Sequence, residues 1–121
     1  MKITACSLDI AWEDKSRNFA KIESILQQLD NPGDVFILPE MFSTGFTMNI
    51  ALAEDAAGET LRWMKETAAR YNIAIVGSFP YTQNDKAVFN RAYFVKPDGT
   101  WSQYDKRHLF RMGNENRHYT K

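Results

Sequence analysis

The stretch Val35–Phe46, "VFILPEMFSTGF", decides how the chain is read. Its first four residues are an unbroken apolar run, the pattern of a strand buried on both faces. Pro39 ends the run, Glu40 follows at once, and a loop of Phe, Ser, Thr and Gly closes the stretch. Open α/β sheets place ligands at the C-terminal ends of their strands, and a carboxylate at such a mouth is costly unless it is solvated or used. Glu40 therefore has two readings: a group held there for chemistry, or a partly solvated residue capping the next turn.

Working outward, "KITACSLDI" carries the β-branched and apolar content of a first strand, expected in the interior of a sheet. From Asp14 onward Phe19, Ile22, Ile25, Leu26 and Leu29 recur at helical spacing, and "DNPGD" at 30–34 stops that helix. Downstream of the central stretch a second amphipathic helix is expected over Glu59–Tyr71. Leu61, Met64, Ala68 and Tyr71 lie on its apolar face, with Arg62, Lys65, Glu66 and Arg70 toward water. "NIAIVGSFPY" returns as a third strand, so the order strand, helix, strand, helix, strand favours parallel pairing with right-handed crossovers. After a polar turn at "TQNDK", the segments "AVFNRAYFVK" and "TWSQYDK" flank Pro97-Asp98-Gly99 as a hairpin, which makes the sheet mixed.

Composition bounds the function. The 121 residues, 44% hydrophobic and 25% charged, suit one core and are expected to form one domain or part of one. Fifteen basic residues balance fifteen acidic ones without a run of either sign, so neither nucleic acid nor an anionic membrane is an expected partner. A small molecule or another protein is the expected partner. No apolar run approaches the roughly 20 residues of a membrane helix and Asp9 interrupts the N-terminal segment, so a cytoplasmic protein is expected.

The remaining chemistry-bearing residues are few. Lys106 in "YDKRHLF" reads alone as an exposed charge, although Leu109 and Phe110 suggest a chain turning back into the core. His108 and His118, even with Glu115, match no compact ligand spacing, so no metal is expected. The glycines are scattered and form no phosphate-binding loop, so no cofactor is expected either. Cys6 is the sole thiol; within a strand and without a nearby His or helix N-terminus, it reads as a structural thiol.

Together "LPEMFSTGF", "YDKRHLF" and "FRMGNENRHYTK", with the opening "SLDIAWEDKSRNFAKIE", resemble the nitrilase superfamily of carbon-nitrogen hydrolases, in wording closest to its omega-amidase-like branch. Several separated segments agree in order and spacing over the whole length. The resemblance implies an α/β fold, the N-terminal half of a nitrilase-type αββα sandwich with a mixed β-sheet, and a homodimer when complete. It implies a Glu-Lys-Cys triad in which Glu40 is the general base and Lys106 stabilises the oxyanion, while Glu115 resembles the second glutamate that positions substrate and lysine. Phe42 and Phe46 are expected on the pocket wall, a core role being equally open to each. The expected substrate is a small carboxylic-acid amide, such as the omega-amide of a 2-oxo acid. The family's cysteine signature lies C-terminal to the lysine segment and has no counterpart in residues 1–121. This chain is therefore expected to be a partial hydrolase domain, inactive alone, with a non-catalytic interaction protein as the alternative.

Overall fold

The computed structural model describes residues 1–121. Five strands, β1 (Ile3–Ala5), β2 (Val35–Ile37), β3 (Ala74–Gln83), β4 (Ala87–Val95) and β5 (Trp101–Asp105), form one sheet in the order of the chain. Helix α1 (Lys15–Gln28) joins β1 to β2 and helix α2 (Glu59–Tyr71) lies between β2 and β3. Those three strands pair in parallel, whereas β3–β4 and β4–β5 are antiparallel, so the sheet is mixed as expected.

Local chemistry sets the boundaries. Asp14 caps α1 by accepting the Arg17 N–H, and Asn72, in left-handed conformation, stops α2. Asn84 and Asp85 both take positive φ between β3 and β4, the geometry of a tight hairpin turn. Gly99, at φ +89°, supplies the same freedom between β4 and β5, where Asp98 accepts from the Thr100 N–H and hydroxyl.

Register assigns the two faces of the sheet. Ile75, Gly77, Phe79 and Tyr81 on β3 stand opposite Val95, Tyr93, Arg91 and Phe89 on β4, all on the face that meets the helices. There Phe36, Ile75, Phe79, Tyr93 and Val95 join Ile22 and Leu26 of α1 and Leu61, Met64 and Ala68 of α2 in one buried cluster. Each buried Ile, Leu, Val, Met or Phe side chain contributes roughly 1.5–3 kcal/mol through removal from water. The opposite face carries Ile37, Val76, Ala92, Phe94 and Tyr104, and neither long helix packs on it. Two expectations are corrected here. β1 is an edge strand rather than an interior one, and β2 is covered on one face only, with Phe36 fully buried and Ile37 38% exposed.

Candidate active site

Glu40 follows β2 after Leu38, whose N–H still donates to the Val76 carbonyl of β3, and Pro39. The chain then turns sharply at Met41, which takes a positive φ of 56°. Ser78 on β3 holds this turn twice: its hydroxyl accepts the Met41 N–H at 3.0 Å and its carbonyl accepts that of Phe42. The Phe42 ring lies so close to β3 that a methyl group on Gly77 would sit 2.7 Å from it. Glu40 is thus fixed from behind while its side chain stays 46% exposed.

Lys106 directly follows β5, and its N–H donates to the Asn90 carbonyl of β4, extending the ladder by one bond. The end of β5 is clamped by Asp105, which accepts two hydrogen bonds from Arg91 at 2.7 and 3.0 Å. Arg91 in turn stacks over Tyr81 at 3.8 Å. Glu115 opens the short helix α3 (Glu115–His118) and is fully buried. Its backbone carbonyl accepts the Tyr119 N–H, and the Tyr119 hydroxyl donates to the Thr47 carbonyl, tying this segment to the loop after Glu40. Burial first, and then the Glu115 charge, push the Tyr119 hydroxyl pKa upward, so it remains a neutral donor.

The three residues converge. Lys106 Nζ lies 2.7 Å from Glu40 Oε1 and 3.0 Å from Glu115 Oε1. Asn90 Nδ2 donates to Glu40 Oε1 at 2.7 Å and to Glu115 Oε2 at 3.1 Å, while the Phe110 N–H also donates to Glu115 Oε1. Burial lowers the Lys106 pKa, but hydrogen bonds and charge from both glutamates outweigh it, and the ammonium is held above its ordinary range. Two donors meet at Glu40 Oε1 and none at Oε2, so one carboxylate oxygen is anchored and the other is free to accept a proton. Lys106 spends two of its three N–H bonds on the glutamates and keeps one.

Beside this cluster opens a cleft of about 910 Å³ lined by Glu40, Lys106, Phe46, Met48, His108 and Phe110 among others. Phe46 and Phe110 meet edge to face at 6.4 Å, and Lys106 Nζ stands 5.2 Å from the Phe46 ring. Phe46 is therefore at the wall. Phe42 is not: it is fully buried among Phe19, Trp63 and Phe79, because the turn at Met41 directs successive residues to opposite sides. Leu109 and Phe110 do not return to the core either, since they line the cleft and Phe110 is half exposed. His108 is on the cleft, whereas His118 is an exposed residue of α3. Cys6 packs against the core cluster, and burial pushes its thiol pKa up, opposite to what a nucleophile needs.

The family model of the carbon-nitrogen hydrolases matches residues 2–121. The chain belongs to that family. It is 41% identical over 121 residues to the omega-amidase YafV of Yersinia enterocolitica, covering 98% of this chain and 46% of that protein. With the 2-oxoglutaramate amidase of Bacillus subtilis it shares 28% identity over 116 residues, covering 93% of this chain and 45% of the relative. The crystal structure of XC1258 from Xanthomonas campestris, a CN-hydrolase superfamily protein with an arsenic adduct in its active site, superposes with a TM-score of 0.91. That match is 39% identical and covers 98% of this chain and 44% of the other. The expected nitrilase-type fold and omega-amidase-like branch are thus borne out, and the chain spans less than half the length of these relatives.

One residue of the cluster escaped the sequence reading. Asn90 lies inside "AVFNRAYFVK", whose pattern marks only a strand; the signal it offers is an amide beside Arg91 in an otherwise mostly apolar run, buried in the fold.

Proposed function

We propose that this chain supplies the base and the lysine of an amide hydrolase whose nucleophilic cysteine lies outside residues 1–121. The observation that carries the reading is the convergence of Glu40, Lys106 and Glu115 within 3.0 Å at the wall of a cleft, with Glu40 Oε2 unoccupied by any donor. The relatives named omega-amidase and 2-oxoglutaramate amidase support a small carboxylic-acid amide as substrate, with 2-oxoglutaramate as the probe.

In this mechanism Glu40 Oε2 takes the thiol proton as sulfur attacks the amide carbonyl, because a thiol of ordinary pKa near 8.5 is mostly protonated at neutral pH. The carbonyl oxygen becomes an oxyanion, and the remaining N–H of Lys106 stabilises it. Glu40 then returns its proton to the departing nitrogen, ammonia leaves, and a thioester remains. Water, deprotonated by Glu40, attacks the thioester; the acid departs and the sulfur recovers the proton. Glu115, buried and bonded to Lys106, keeps the ammonium in place throughout.

Glu40→Gln in the whole protein is expected to abolish ammonia release from 2-oxoglutaramate while leaving the circular dichroism spectrum unchanged. Turnover at the wild-type rate in that variant refutes the assignment.

A further inference from the structure

Asn90 is the one residue that bonds to all three members of the cluster. Its side-chain nitrogen donates to Glu40 and to Glu115, and its backbone carbonyl accepts the Lys106 N–H. Both side-chain partners are acceptors when ionised, so the nitrogen end of the carboxamide must face them. The residue is 2% exposed, on the sheet face away from the helices and opposite Pro80. A β-branched residue would serve the strand better, and a buried amide costs stability unless it is paired. Here its pairing is with the two site carboxylates.

We propose that Asn90 is the positioning residue that sets the separation and orientation of the two carboxylates about Lys106; this rests on the amide-hydrolase reading above. The charges explain why an amide stands there. Lys106 alone faces two carboxylates, and a second cation in place of Asn90 would hold Glu40 more firmly ionised and weaken it as a base. An aspartate would add a third negative charge. A carboxamide offers two neutral N–H donors from one atom, so it fixes both glutamates without changing the net charge of the site. By occupying Glu40 Oε1 together with Lys106, it also leaves Oε2 as the oxygen that takes the proton.

The test is carried out in the whole protein with 2-oxoglutaramate as substrate. Asn90→Ala is expected to lower kcat by roughly 10–100-fold with KM within about threefold of wild type, since the residue acts through Glu40 and Lys106 rather than on substrate. Asn90→Asp is expected to move the acid limb of the kcat/KM profile upward by about one pH unit or more, because a third carboxylate makes Glu40 retain its proton. If both variants keep the wild-type rate and pH profile while Glu40→Gln is inactive in the same assay, positioning by Asn90 is overturned and the catalytic reading stands. Full turnover in Glu40→Gln overturns the catalytic reading and this proposal with it. Should either variant unfold, the wild-type protein labelled with ¹⁵N-asparagine decides. The Asn90 side-chain amide signals should titrate with the same midpoint as the acid limb and shift in Glu40→Gln, and signals indifferent to both contradict the proposal.

Discussion

At the scale of single residues, the site depends on how a buried carboxylate is tolerated. Glu115 is fully buried, a condition that costs several kcal/mol for an unpaired charge, and it is compensated by Lys106, Asn90 and the Phe110 N–H together. Replacing Lys106 with Met should therefore destabilise the whole protein by about 1–3 kcal/mol, less than the ~3–5 of a fully buried pair because the lysine is partly exposed. The pH dependence has a definite sign. Lys106 titrates above its ordinary value of 10.5 in the folded state, so its stabilisation is complete below that pH and is lost as pH rises through the folded value. In thermal melts from pH 8 to 12, the gap between wild type and Lys106→Met should be constant up to about pH 10 and narrow above it. Glu40 and Lys106 are marked in the sequence by the family-like wording of "LPEMFSTGF" and "YDKRHLF" around them, and the structure brings the two together. Asn90 is not, since its role depends on partners 50 and 25 residues away that no local pattern reveals.

At the scale of elements, periodicity and turn residues locate both long helices, the β4–β5 hairpin and the mixed pairing, and α2 spans Glu59–Tyr71 as expected. What periodicity does not carry is which side of a loop a side chain takes. Phe42 and Phe46 are equally aromatic and four residues apart in one loop, yet the left-handed turn at Met41 and the two bonds from Ser78 drive Phe42 into the core and leave Phe46 on the cleft. Their substitutions should differ accordingly. Phe42→Ala should cost about 3–5 kcal/mol in chemical denaturation through the cavity it leaves. Phe46→Ala should change stability by less than about 1 kcal/mol and raise KM roughly tenfold. Equal effects of the two on stability would contradict the placement. The short first strand ends at Ala5, and Leu8 packs against the core from the loop that follows.

At the scale of the whole molecule, a sheet with helices on one face leaves Ile37, Phe94 and Tyr104 on the other, and Tyr104 is 54% exposed. An apolar sheet face of this kind associates in water. The isolated 121-residue chain should sediment as species larger than 14.0 kDa, and Ile37→Lys with Phe94→Lys should shift it toward the monomer. A monodisperse wild-type monomer would count against the open face. Under the proposed function, Glu40 and Lys106 stand at the cleft while the chain's thiol, Cys6, is packed against the core. In the proposed function, Glu40 and Lys106 serve a cysteine other than Cys6. Its most direct test is peptide mass spectrometry of the whole protein, acid-quenched during turnover of 2-oxoglutaramate. A thioester on a cysteine other than Cys6 that disappears in Glu40→Gln is expected; acylation of Cys6 would contradict the proposed function.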